Sequence, residues 1–287
     1  MKLNISQRFK IRVNQLRYRS KTSEPLLSGD AFRNLADVRI DSPENLREEV
    51  WEGVSGKLIF CRSELLEELI HCLEIPQRRI SVIAGNSDRN FEEVPINLLE
   101  YFEYSFLQNS QISDNNKIFT LPIGIENLRL GINGLPRNLR STTPWIRRSK
   151  SILVGPFSPS HKSREIFLGN KTFRSSNFTS INGLVLPSEY AKIVQKHRFV
   201  ICPRGNGIDT HRFWETLYRG SVPIVLRDPW SQSLKIHNLP MVEVEEFSED
   251  SIGQAVIAAE KSGAYDEFDP VNIPALWIDY WKIFLRK

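Results

Sequence analysis

Cysteine is scarce. The 287 residues hold three, Cys61, Cys72 and Cys202, widely spaced and with no C-x-x-C pair. An odd, scattered set excludes a disulfide framework and a zinc site, and each thiol is expected to be a small buried apolar group. Long apolar runs are missing too. Nothing approaches the ~18 consecutive apolar residues of a membrane helix, and the longest stretches, such as Val222–Leu226, are strand-sized. Residues 1–21 lack acid altogether, yet carry Lys2, Arg8, Lys10, Arg12, Arg17, Arg19 and Lys21. The whole chain is +4, so everything after this +7 arm sums to −3. The arm is too polar for the apolar core of a secretory leader, which makes a cytoplasmic location the expectation. It suits peripheral contact with anionic membrane. Nucleic acid is not an expected partner, because the positive charge is not interleaved with aromatics in a recognisable module.

What is present is ordinary for a globular protein: 40% apolar and 25% charged residues, in a chain long enough for about two domains. Residues 57–61, 80–84 and 118–121 read as strands, and 64–73, capped by Ser63 and stopped by Pro76, as a helix. From about residue 128 to 150 the pattern breaks like a linker, with Gly131, Gly134, Pro136, Pro144 and several arginines. Strand signals restart at 151–154, 198–202, 222–226 and 241–244, with a helix near 210–219. Trp277, Trp281 and Phe284 give the tail an amphipathic helix whose aromatic face suits packing. This alternation predicts parallel sheets of βαβ units, in an N-terminal unit over 1–146 and a C-terminal unit over 147–287 that includes the last helix.

The most informative stretch is 197–228, which reads strand, glycine-containing loop, helix, strand. Gly205 and Gly207 allow close backbone approach to a ligand, and Asp209 or Thr210 stands where a helix cap is needed. The start of that helix would offer unpaired N–H groups and the positive end of its dipole, a phosphate site to which Arg204, His211 and Arg212 add donors. Glu215 lies four residues past His211, on the same helical face. It would either accept hydrogen bonds from sugar hydroxyls or pair with Arg212 or Arg219. A diphosphate and a diol together describe a nucleotide. Gly205-x-Gly207-x-x-Thr210, with Asp228 about 20 residues on, also approximates a dinucleotide fingerprint whose third glycine is here Thr210. That leaves an NAD(P)-dependent oxidoreductase open.

Cys202-Pro203-Arg204-Gly205, His211-Arg212-Phe213-Trp214-Glu215, Leu217, Gly220 and Pro223-Ile224-Val225 resemble the nucleotide-sugar motif of the exostosin-like glycosyltransferases. The spacing of Glu215, Gly220 and Pro223 is also similar to that of fucosyltransferase-like enzymes. Weaker similarity runs through 152–157 with Arg164. The resemblance implies the GT-B architecture: α/β, two Rossmann-like domains facing across a cleft. The C-terminal domain would hold a nucleotide-sugar donor, a UDP-sugar before a GDP-sugar, and the N-terminal one a glycan or glycolipid acceptor. Arg204 would neutralise diphosphate charge, and Gly205, Asn206, Gly207, Asp209 and Thr210 would line the loop. His211 and Arg212 would sit beside the diphosphate or the donor sugar, and Glu215 would hold the ribose. Arg164, His161 and Lys162 would reach the donor phosphate.

Transfer must stabilise a leaving nucleoside diphosphate. The chain has no Asp-x-Asp to hold a metal, so the expected device is fixed positive charge from the helix start, Arg204 and Arg212, with no metal cofactor. The acceptor hydroxyl needs a base. Asp88, in the 85–88 turn, is the first candidate and Glu126 the second, because open α/β sheets place ligands at loops after strands. Either could instead cap a turn. Trp230 is expected to dock on its own domain rather than stack on a base. A third reading keeps the fold but not the catalysis: a sugar-nucleotide-binding module. An enzyme building surface polysaccharide from the cytoplasmic side fits the family and the lack of an anchor.

Overall fold

A computed structural model describes residues 5–18, 21, 23–48, 56–73, 79–168, 173, 175–183 and 185–286. Lys2 and Arg19 of the basic arm, and Pro76, lie outside these. The first half runs α1 (Ile5–Tyr18), α2 (Gly29–Leu35), β1 (Val38–Ile40), α3 (Pro43–Glu48), β2 (Leu58–Arg62), α4 (Leu66–Cys72), β3 (Ser81–Gly85), α5 (Leu98–Tyr101), β4 (Tyr104–Gln108) and β5 (Ile118–Leu121). The second runs β6 (Lys150–Val154), β7 (Phe178–Ser180), α6 (Pro187–Val194), β8 (His197–Ile201), α7 (His211–Tyr218), β9 (Val222–Leu226), α8 (Pro229–Lys235), β10 (Val242–Val244), α9 (Glu249–Ser262) and α10 (Ile278–Phe284).

Strands β1–β5 form one parallel sheet in chain order, and β6–β10 a second in the order β10-β9-β8-β6-β7. The protein is therefore α/β with two five-stranded parallel sheets, a two-domain Rossmann-like arrangement. In the second sheet β7 lies on one side of β6, and β8, β9 and β10 on the other. The strand order thus reverses between β6 and β8, leaving a crevice at their carboxyl ends where open sheets bind ligands. Ser63 does not cap α4; it opens a 3₁₀ turn, Ser63–Leu65, and its buried hydroxyl has no partner among the described residues.

Alternate residues of the first sheet face opposite ways, as the strand period of two requires. Ile59, Cys61, Val82, Ala84 and Leu107 join Leu46, Leu66, Leu69 and Leu98 from α3, α4 and α5. Leu58, Phe60, Ile83 and Phe106 face α2 and α10. Sequence order puts α10 with the second sheet, but its aromatic face packs on the first. Phe284 meets Phe106 and Phe119 at ring distances of 5.9 and 5.4 Å, and the fully buried Trp281 meets Phe32 at 5.9 Å. The reason is area: β4 and β5 carry phenylalanines on a face that no crossover helix of the first half covers.

The stretch expected as a linker is packed. Leu135, Leu139 and Trp145 are buried, between short 3₁₀ turns at Pro136–Asn138 and Trp145–Arg147. Arg148, read as linker charge, is 2% exposed and donates to the carbonyls of Thr143, His197 and Arg219 and to Ser221 Oγ. A guanidinium's five donors can satisfy that many carbonyls at once, and burial pushes its pKa down to about 10. The three cysteines are free; Cys61 and Cys202 are buried and Cys72 half-buried. Among the described residues no helix is long and apolar enough to cross a membrane.

Candidate functional site

Residues 202–210 connect β8 to α7. Thr210 takes the N-cap position in extended backbone, but its side chain makes no capping bond. Asp209 does not cap either. It is buried; Oδ2 accepts the Ile123 N–H at 2.9 Å, and both oxygens accept Trp214 Nε1 at 2.9 and 3.1 Å. Burial pushes its pKa up to about 7, against the pull of these bonds and of the His211 charge. Its carboxylate ties α7 to the turn after β5, and is already engaged.

Three arginines converge at the carboxyl ends of β6 and β8. Arg164, on the 3₁₀ turn Lys162–Phe167, is buried and donates from Nε to the Arg204 carbonyl at 2.8 Å and from Nη2 to the Pro203 carbonyl at 3.3 Å. Arg212 donates to the Gly155 and Pro156 carbonyls and to the Tyr190 hydroxyl, and lies 4.7 Å over the Phe157 ring. Among the described residues Arg204 keeps its Nε buried without a partner, and its Nη2 reaches the Asn206 carbonyl at 3.4 Å. Among the described residues no carboxylate forms an ion pair with any of the three. The surplus charge is felt locally. Burial, with the nearby Arg212 charge, pushes the Arg164 pKa down to about 10. His161, whose ring accepts the Ser163 N–H at 3.1 Å, is held below its ordinary value by partial burial and by Arg204, Lys162 and Arg164. Partly buried cations without a counter-charge favour an incoming anion.

A cavity of about 410 Å³ opens beside α7, lined by Asn86, Asp88, Gln108, Asn109, Asn127 and His211 among others. His211 donates from Nδ1 to the Gly124 carbonyl at 2.7 Å. A neutral ring then has its proton on Nδ1 and a free lone pair on Nε2. Asp88 is exposed, and its Oδ2 accepts Asn206 Nδ2 at 3.0 Å. The structure therefore brings Asp88, Asn206 and His211 together. None of Arg164, Arg204 and Arg212 lines this cavity.

The 204–209 loop is also stitched to the first half. Asn90 Oδ1 accepts the Ile208 N–H at 2.7 Å, and Asn109 Oδ1 the Asp209 N–H at 3.1 Å. A Cβ on Gly207 would stand 2.3 Å from Asn109 Oδ1, so glycine is what permits this approach.

Other candidates are occupied. Glu126 Oε2 accepts the Asn133 N–H at 2.6 Å and the Gly134 N–H at 3.3 Å, capping a turn. Glu215 is 8% exposed and pairs with the buried Arg219 at 2.9 Å. Asp228 caps α8, its Oδ1 accepting the Ser231 N–H at 2.8 Å. Trp230 is buried edge-on against Phe213 at 5.2 Å.

Asp30, Gln108 and Asn109 had no place in the sequence reading, and Asn86 entered it only as part of the 85–88 turn. Asp30 accepts Asn86 Nδ2 at 3.1 Å and Arg129 Nε at 2.8 Å, fixing the cavity wall. Asn86 and Asn109 follow β3 and β4 with positive φ, 54° and 56°. Asparagine tolerates that conformation better than most residues, so an Asn just past a strand was the available signal. No protein-family model matches the sequence, and no curated protein is significantly similar to it.

Proposed function

We propose that this chain is a nucleotide-sugar-dependent glycosyltransferase of the exostosin-like, GT-B type. One observation supports this: Arg164, Arg204 and Arg212 gather, with no carboxylate in ion-pair contact among the described residues, at the crevice where the second sheet's strand order reverses. A diphosphate supplies the missing charge. A hollow of about 190 Å³ adjoins them at the ends of β6 and β7, bordered by Gly155, Phe157, Ile181 and Asn182; it would take the nucleoside base. The amide-rich cavity on the other side of the loop would take the acceptor, because Asn and Gln side chains both donate to and accept from hydroxyls.

In this scheme Arg204 and the start of α7 stabilise the leaving nucleoside diphosphate. His211, with Nδ1 on the Gly124 carbonyl, lines the acceptor-side cavity and is the better-placed candidate base; Asp88 is the alternative, with one oxygen held by Asn206. Thermal-shift measurements with UDP, GDP, CMP and NAD test the donor site. Stabilisation by a nucleoside diphosphate is expected, and stabilisation by NAD alone would sink the assignment. Transfer or hydrolysis from a radiolabelled UDP-sugar separates an enzyme from a binding module. Turnover should persist in EDTA, because arginines carry the charge stabilisation; a strict Mg²⁺ or Mn²⁺ requirement would refute that.

A further inference from the structure

Helix α1 is amphipathic in an unusual sense: the face turned away from the protein is partly apolar. Its inner face docks on residues 128–131, with Asn14 Nδ2 donating to the Gly131 carbonyl at 3.2 Å and Gln15 Nε2 to the Leu130 carbonyl at 3.3 Å. On the outer face Val13 and Leu16 are 44% and 65% exposed. By helical spacing Arg8 and Arg12 flank them on one side and Lys10 and Arg17 on the other, all exposed, and α1 contains no acid. Leu130 and Ile132 are also exposed, on the turn that the inner face of the helix docks on.

We propose that α1 and this turn form a docking surface for an anionic lipid bilayer. An exposed apolar stripe between two rows of cations is the pattern of a helix lying in a membrane interface. A second copy of the chain would bring like charges together across a two-fold interface. Nucleic acid would leave Val13 and Leu16 without a role. Leu130 also borders the large cavity, so docking would set the mouth of that cavity against the lipid surface. Presentation of a lipid-linked acceptor there rests on the transferase assignment; the docking itself does not.

Vesicle flotation of the full chain tests it, using phosphatidylcholine alone and phosphatidylcholine with one third phosphatidylglycerol. Flotation is expected only with the anionic vesicles, and should weaken with salt. Arg12→Gln with Arg17→Gln should weaken binding about 30-fold. Val13→Asp with Leu16→Asp should abolish it without lowering the melting temperature, since both side chains are exposed. Unchanged flotation of the aspartate variant would overturn the proposal, as would equal binding to neutral vesicles. So would RNA binding without vesicle binding, or a dimer by light scattering that this variant dissociates. Each of these outcomes leaves the nucleotide thermal shift unaffected, so the two proposals fail separately.

Discussion

Arg204→Ala distinguishes an anion site from a structural arginine. In the ligand-free protein Arg204 does little to hold the fold. Its Nε is buried without a partner among the described residues, its hydrogen bond to Asn206 is 3.4 Å long, and its charge adds to those of Lys162 and Arg164 around His161. The melting temperature of the free variant should therefore hold or rise slightly. With ligand the balance reverses. A charge-assisted bond to phosphate is worth about 1.5–3 kcal/mol, so the nucleotide Kd should rise roughly 10- to 150-fold. At UDP near 100 times the wild-type Kd, linkage gives about 2.7 kcal/mol, or about 4–5 °C for a chain of this size. Weakened about thirtyfold, the variant keeps about 0.9 kcal/mol, or about 1–2 °C, at the same concentration. Scanning fluorimetry with UDP, GDP and NAD reads both effects, and turnover should fall about 10²–10³-fold. A variant that keeps the full ligand shift would refute the anion role. A free variant that melts several degrees lower would make Arg204 structural.

Substitutions at four other positions probe the surroundings. Glu215→Ala leaves the buried Arg219 without its partner and should cost ~3–5 kcal/mol, whereas Glu215→Gln keeps an acceptor and should lose less; equal losses in urea midpoints would argue against the pair. Asp209 titrates near 7 when folded against about 4 unfolded, so the folded state holds the extra proton between those values and stability falls as pH rises through them, by up to ~4 kcal/mol. Asp209→Asn should flatten that slope, and parallel pH–stability curves for the two proteins would refute the assignment. Gly207→Ala drives a Cβ into Asn109 and should cost ~1–3 kcal/mol. Asn109→Ala should recover part of that loss in a double-mutant cycle; strict additivity would mean the two do not meet.

The regular part of the fold was legible because parallel strands buried on both faces show as short apolar runs. β2, β3, β5, β6, β8, β9 and β10 each match a strand read from the sequence to within a residue or so at their ends. β1 and β7 are three residues long and β4 begins Tyr104-Ser105, so none of them makes such a run. The linker misled because arginine composition carries no sign of burial. Arg148 is buried by carbonyls contributed from residues up to 71 positions away, which no local window contains. The same limit shaped the site. The loop and α7 were visible as one contiguous motif, whereas the far wall comes from Gly29, Gln108, Asn109 and Asn127, in segments well apart in the chain that folding brings together. His211 stood out in the motif, but the carbonyl that fixes its tautomer belongs to Gly124, 87 residues earlier.

The loop between β8 and α7 lies between the arginine cluster and the amide-rich cavity. Its Pro203 and Arg204 carbonyls accept from Arg164 on one side, and Asp209 and His211 line the cavity on the other. At its tip the Asn206 amide is tied to Asp88. That tie is exposed and of ordinary length, so it is weak, about 1 kcal/mol net. The contacts that follow it in the loop are better protected: Asp209 to Ile123 is buried, and Gly207 is pressed against Asn109. The loop is held along its length, by Arg164 on the Pro203 and Arg204 carbonyls, by Asn90 on the Asn206 carbonyl and the Ile208 N–H, and by Asn109 on the Asp209 N–H. Under the proposed transferase function, a loop held in this way would keep a phosphate site at the start of α7 preorganised.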